Sequence, residues 1–217
     1  VSGMDRENVS FDRVMEQVRE SLHRHAVPFL FPVMDDGELT ALVDVLGNRA
    51  IDPEGNEIEV PDSARERCDE LRKELMETAA ESDEELMESY FENDTLSEAE
   101  LRRGLRQSIA ARDLFPVLCG VSVNSLGAKE LLSSLVSFIP SPLQRPAQPD
   151  KSGEAEIAPD PDGSFVARVF STKVDKHVGE MVFVRVLRGG IQGTEEAYNT
   201  EQQISERLNN YYYVSCG

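Results

Sequence analysis

Acidic side chains are the main chemical resource of this sequence: 41 Asp and Glu stand against 22 Lys and Arg, for a net charge of −19 over 217 residues. Two placements are specific enough to do chemistry. Asp5 sits in the polar run Met4-Asp-Arg-Glu-Asn8 just ahead of an amphipathic segment. A loop carboxylate there can accept two hydrogen bonds from the exocyclic amine and ring N–H of guanine, a pattern adenine cannot offer. The plainer reading of Asp5 is a turn or cap residue of the following helix. Glu70, Glu74, Glu77 and Glu81 recur at three- and four-residue intervals, which puts them on one side of a helix, either as a docking strip or as a solvated face. The excess of acid is concentrated around them: residues 63–101 hold 14 acidic and 4 basic side chains, or −10 of the total.

Other chemistries find little support. So negative a chain does not hold nucleic acid by neutralising phosphates over its whole surface, so any RNA contact must be local, and DNA is not an expected partner. Cys68, Cys119 and Cys216 are odd in number, far apart and outside any CxxC pattern, which argues against a disulfide framework or a zinc site and fits a reducing cytoplasm. His23 and His25, two apart in a segment read as helical, face different ways and make a poor metal pair. No run is long enough to cross a bilayer, and the opening Val-Ser-Gly-Met-Asp-Arg-Glu-Asn is too polar for a secretory signal. No Gly-x-x-x-x-Gly-Lys-Ser/Thr phosphate loop occurs in the chain.

The elements that must position these residues can be read from periodicity. From Ser10 to about Ala26, Phe11, Val14, Met15, Val18 and Leu22 recur at helical spacing, with Ser10 as N-cap. Short strands follow at residues 28–33, 39–46 and 57–60, separated by the turn signals Asp35-Asp36-Gly37 and Asp52-Pro-Glu-Gly55. A helix from Ser63 carries Ala64, Cys68, Leu71, Leu75 and Ala79 on one stripe, and a shorter one covers residues 83–91. Ser97-Glu-Ala-Glu100 is a capping box opening a third helix, with Leu101, Leu105 and Ile109 facing inward. The apolar run Leu114-Phe-Pro-Val-Leu-Cys119 reads as a buried strand, followed by a helix over residues 127–138 whose Leu131, Leu132, Leu135 and Val136 are expected to pack on a sheet. After a stretch rich in Pro, Ser, Gly and Asp, residues 164–171 and 179–187 are strand-like. One clear buried strand with one packing helix is an incomplete α/β sheet, so part of the sheet is expected upstream.

Met4-Asp-Arg-Glu-Asn8 before its helix resembles the segment after the guanine-specificity motif of elongation factor G, which reads Asn-Lys-Met-Asp-Arg in that family. Glu84-Glu-Leu-Met87, Phe115-Pro-Val-Leu-Cys-Gly120, Pro140-Ser-Pro-Leu143 and Val174-Asp-Lys-His-Val-Gly179 follow in family order. The likeness thins after Gly193, and Tyr211-Tyr-Tyr-Val214 is only loosely similar. The resemblance implies that Asp5 reads the base and that Gly120, Val121 and Ser122 stand for the family's Gly-Ser-Ala, where a backbone N–H reaches the guanine carbonyl. Ser2 and Gly3 stand where the family has Asn and Lys, so Val1-Ser2-Gly3 reads as a cloning remnant on a truncated chain. The plainer reading of the second element is a turn in which Ser122, Asn124 or Ser125 caps the next helix.

The resemblance implies an α/β partial GTPase domain (residues 1–26 and 112–142) with an α+β insert (27–111), a linker (143–163), and an incomplete β-barrel domain (164–217). It implies a cytoplasmic fragment of a ribosome-dependent GTPase that promotes translocation of tRNA and mRNA. GTP or GDP with magnesium belongs to the complete protein and is not expected on this fragment, which is expected not to hydrolyse GTP. The large-subunit stalk protein is the partner implied for Glu70, Glu74, Glu77 and Glu81. Lys173, Lys176 and Arg185 of the β domain are implied contacts to rRNA phosphates, with His177 in a turn beside them. Release factor 3, a tetracycline ribosome-protection protein, or a non-catalytic ribosome-binding paralogue share enough of this pattern to stand as alternatives.

Overall fold

A computed structural model describes residues 1–6, 9–193, 195–208 and 210–212, with only the backbone of Glu195. Glu7 and Asn8 of the first motif, Tyr213 and Val214 of the tyrosine run, and Cys216 lie outside the described residues. The chain forms two compact units, Val1–Ile139 and Pro140–Gly217. It is a mixed α/β structure built on several small sheets.

In the first unit, α1 (Phe11–Ser21) begins at Ser10, whose hydroxyl accepts the Arg13 N–H at 3.4 Å, and buries Phe11 and Met15. It stops well short of Ala26, the end its apolar spacing suggests. The Arg19 Nε donates to the Ala26 carbonyl at 3.0 Å and the Phe115 N–H donates to the His25 carbonyl at 3.0 Å. These bonds draw residues 23–26 out of the helix and into β1 (Ala26–Pro28). The insert's antiparallel sheet then begins two residues later than the apolar run implies, with β2 (Leu30–Asp35), β3 (Glu38–Asp44), β4 (Arg49–Ile51) and β5 (Glu57–Ile58) in that spatial order. Asp36 and Gly37 both take positive φ, 47° and 86°, which is what a tight hairpin between right-twisted strands requires. Ala41, Leu42 and Val43 are consecutive and all buried, so both faces of β3 are covered.

Three helices complete the insert. α2 (Asp62–Ala80) buries Ala64, Cys68, Leu75 and Ala79 along the stripe read from the sequence. α3 (Glu84–Asn93) is capped by Asp83, which accepts the Glu85 N–H at 2.9 Å. α4 (Glu98–Ala111) opens with the full capping box: the Ser97 hydroxyl accepts the Glu100 N–H at 3.4 Å and the Glu100 carboxylate accepts the Ser97 N–H at 2.8 Å. It lays Leu101, Gly104, Leu105 and Ser108 against α2. The buried Ser108 hydroxyl donates to the Gly104 and Thr78 carbonyls, at 3.1 and 3.3 Å, so this polar group in the interface is satisfied.

β6 (Phe115–Val117) pairs parallel with β1, Ala26 against Phe115 and Pro28 against Val117. α5 (Ala128–Phe138) follows, but its apolar face does not pack on a sheet: Leu131, Leu132, Leu135 and Val136 are all exposed, and only Phe138 is buried. The reason is area. A two-stranded sheet of three residues a side is too small to cover an eleven-residue helix, and α5 instead lies against α4, with its last turn held by the Phe138 ring edge-on to Phe29 at 5.4 Å.

The second unit begins with a single 3₁₀ turn (Pro142–Gln144) and continues as three antiparallel pairs. These are β7 (Gln148–Pro149) with β8 (Glu156–Ile157), β9 (Val166–Asp175) with β10 (Gly179–Arg188), and β11 (Glu195–Asn199) with β12 (Ile204–Leu208). No closed barrel forms among the described residues, and none of them in this unit is buried. The residues read as a linker therefore hold the 3₁₀ turn and the small β7–β8 hairpin, whose turn is tied by the Asp150 carboxylate accepting the Gly153 N–H at 2.7 Å.

The α2–α4 crossing is close enough to require glycine at position 104: a Cβ there would sit 2.5 Å from the Ala79 carbonyl oxygen. Gly104→Ala is expected to lower the unfolding free energy by about 1–3 kcal/mol despite its better helix propensity. Urea denaturation followed by helical circular dichroism measures this, and a midpoint at or above that of the parent chain would show a crossing that yields freely.

Candidate functional site

The two segments singled out for base recognition are more than a hundred residues apart in sequence, and the backbone joins them directly. Ser2 forms a parallel bridge with Gly120; the Gly3 N–H donates to the Gly120 carbonyl at 3.2 Å and the Gly120 N–H to the Val1 carbonyl at 3.0 Å. The hydroxyls of Ser2 and Ser122 are in hydrogen-bonding contact. Met4 is 2% exposed and anchors its loop in the core, while Asp5, the next residue, is exposed in a turn. Its carboxylate has no hydrogen bond or ion pair among the described residues. The cap of α1 is Ser10, so Asp5 does not serve that purpose.

The second segment is shaped by what it excludes. A Cβ on Gly120 would lie 2.6 Å from the Leu126 carbonyl oxygen, and one on Gly127, at φ +84°, 2.8 Å from the Cys119 carbonyl oxygen. Two glycines thus let residues 120–127 fold back on themselves. Val121 is buried, with its N–H donating to the Leu126 carbonyl at 3.0 Å. Ser122 is exposed, and its N–H is not engaged by any other described group. The capping alternative for Ser122, Asn124 or Ser125 is not what forms: the residue before α5 is Gly127, without a side-chain cap, and the Asn124 side chain accepts the Leu126 N–H at 3.2 Å.

No protein-family model matches this sequence. Its fold is similar to the crystal structure of a protein from Thermus thermophilus, with a TM-score of 0.76 and 24% identity over 96% of this chain. The match takes in 29% of the Thermus chain, so this chain spans less than a third of that protein's length. At this identity the likeness concerns the fold.

Glu70, Glu74, Glu77 and Glu81 all lie exposed on or at the end of α2. Their nearest compensation is weak: Lys73 reaches Glu77 at 3.9 Å, and the last turn of α2 carries no basic residue. Acids near a helix C-terminus face the negative end of its dipole, so Glu77 and Glu81 are there at some cost to the helix. The same helix is tied to α1 through Arg67, a residue the sequence reading missed. Its guanidinium lies 4.9 Å from the Phe31 ring centre and 5.7 Å from that of Phe11, and it pairs with Asp12. α2 is thereby fixed to the helix that follows the Asp5 loop. Nothing in the spacing of a single arginine among 22 basic residues marks it.

His23, His25, Cys68 and Cys119 all have packing or hydrogen-bonding surroundings within the first unit. His23 lies beyond the end of α1, its ring 4.3 Å from Phe115, and His25 Nδ1 is 2.9 Å from the Asp113 carbonyl oxygen. Cys68 is buried and its thiol is raised in pKa, chiefly by that burial. Burial also pushes the Cys119 thiol up to about 12, from an ordinary value of 9.0. The folded state therefore holds this proton more tightly than the unfolded chain. The associated stability is complete below the unfolded value and is lost as pH rises through the interval up to the folded one. The urea midpoint is expected to fall between pH 9 and about 12, less steeply in Cys119→Ala, and iodoacetamide at about pH 8 should leave Cys119 unmodified by peptide mass until the chain is unfolded. Rapid native alkylation at that position would contradict the burial argument.

Proposed function

We propose that this chain is part of a ribosome-dependent translational GTPase resembling elongation factor G, comprising the guanine-reading end of the GTPase domain, its insert, and the opening strands of a β domain. The observation that supports the reading is the backbone pairing of Gly3 with Gly120, which ties the segment leading into Asp5 to the segment leading into Ser122, where the hydroxyls of Ser2 and Ser122 also meet. In this reading Asp5 accepts hydrogen bonds from the guanine amine and ring N–H, while Ser122 donates to the guanine carbonyl. An adenine would meet each of these groups with the wrong partner, and an unpaired polar group is what makes such discrimination strong.

The phosphates and magnesium would find no ligands here. The sequence lacks the phosphate loop whose backbone, lysine and hydroxyl hold the phosphates and magnesium. The chain therefore contributes the base-reading wall and the docking surfaces, and the chemistry belongs to the complete protein. The uncovered Leu131, Leu132, Leu135 and Val136 of α5, and a parallel sheet of only two strands, support a parent in which further strands complete that layer. Translocation of tRNA and mRNA is the activity proposed for that parent. Val121 favours one other reading: with an aliphatic side chain buried where the family has a hydroxyl, the loop has lost a bracing group, as in a ribosome-binding paralogue that no longer turns over GTP.

The acidic face of α2 is the proposed contact to the large-subunit stalk. Glu74→Lys combined with Glu77→Lys is expected to weaken co-sedimentation with large ribosomal subunits by roughly tenfold at low salt, with a smaller effect at high salt. Unchanged co-sedimentation would remove the docking assignment. The purified chain is expected to release no phosphate from GTP, and turnover that persists through further purification would overturn the division of labour proposed here.

A further inference from the structure

The early end of α1, at Ser21, changes what His23 and His25 can do. Two apart on a helix they would face different ways. Instead both lie between α1 and β1, and their rings stand edge-on with centres 5.3 Å apart. Two imidazoles on one tetrahedral ion, at a metal–nitrogen distance of about 2 Å, have ring centres about 5 Å apart. The spacing of this pair is therefore that of a chelate.

The hydrogen bonds around the rings divide their nitrogens. The Asp113 carbonyl can only accept, so His25 Nδ1, 2.9 Å from it, carries the ring proton and donates it. The lone pair of the neutral ring is then on Nε2. A ligating histidine is commonly oriented in this way, with its other nitrogen donating to a backbone carbonyl. His23 is held differently: its Nδ1 accepts the His25 N–H at 3.3 Å, and its ring centre lies 4.3 Å from that of Phe115. Ligation through His23 Nε2 moves the ring proton from Nε2 to Nδ1 and gives up this long bond, a small loss against a metal–nitrogen bond. His23 is half-buried and His25 exposed, so the pair is open to an ion from solution.

The donor type selects the class of ion. Imidazole suits zinc, nickel and copper, whereas magnesium and calcium take oxygen ligands. The net charge of −19 draws cations to the chain, with Arg24, between the two histidines, in local opposition. No third His, Cys, Asp or Glu joins the pair among the described residues.

We propose that His23 and His25 form a binding site for a divalent transition metal ion of the zinc type, with water in the remaining coordination positions. An ion there ties the end of α1 to the entry of β1, where the Phe115 N–H meets the His25 carbonyl at 3.0 Å. With fewer protein ligands than a closed structural site, occupancy is reversible and follows the free concentration of the ion. The site is independent of the GTPase reading.

Zinc chloride titrated into the full chain at about pH 7.5, where free imidazole is mostly neutral, and followed by the imidazole C–H proton resonances, tests this. The signals of His23 and His25 are expected to shift together and saturate at one ion per chain, while His177, the remaining histidine of the three, stays in place. His23→Gln and His25→Gln are each expected to weaken binding roughly tenfold or more, since losing even a hydrogen-bond partner behind a ligand costs about that much. His177→Gln is expected to leave binding unchanged. A large excess of magnesium is expected not to displace the zinc, which separates this pair from the acidic surface. Absence of any shift, equal movement of all three histidines, displacement by magnesium, or His23 and His25 variants that bind zinc as the parent chain does would each overturn the proposal.

Discussion

The hydrogen bonds made by residues 115–120 are the constraint on which the first unit depends. This short segment receives β1 through the Phe115 N–H to His25 and the Phe29 N–H to Val117, and it receives the start of the chain through Leu118 and Gly120. Each partner arrives from a different part of the sequence. The bonds to β1 end α1 early and place Phe29 between two sheets, since its carbonyl also accepts the Val45 N–H at 3.0 Å. The bonds to residues 1–3 hold the Asp5 loop. The run read as a buried strand is only partly covered, with Phe115 exposed and Pro116 and Val117 half-buried because a single neighbouring strand flanks it, and its backbone pairing, more than any side-chain contact, joins residues 1–3 to residues 118–120.

The insert follows a different logic. Its core is local: hairpins and consecutive helices bury Leu42, Val43, Cys68, Leu75 and Leu105 within one contiguous stretch of sequence. This is why periodicity and capping signals identified its elements well. The stripe on α2, the box at Ser97 and the turn at Asp36 are each determined by residues within a turn or two of one another. Where the structure departed from the reading, at Ala26 and on α5, the deciding partner lay far away in sequence or was too small to do what the pattern implied. A helical apolar face states that a surface can be covered and says nothing of what covers it.

The same distinction separates what was legible of the candidate sites. Asp5 and Ser122 were visible through their motifs, but the joining of the segments that lead into them comes from main-chain bonds that no residue type announces. Arg67 has no signature at all, because a guanidinium finds Phe11 and Phe31 only after two helices and a strand have packed. His23 and His25 were visible as residues, but their closeness was not. A helix carried past them would have turned them apart, so the meeting of their rings is a property of where α1 ends.

The parallel orientation of β1 and β6 also determines what kind of object the insert is. Parallel neighbours cannot be joined by a tight turn; they need a crossover of about a dozen residues, usually a helix. Residues 29–114 form that crossover, and they carry a sheet and three helices of their own. A single helix in place of this region could therefore still join the paired strands, and a hairpin loop could not, since the pairing of Ala26 with Phe115 is parallel.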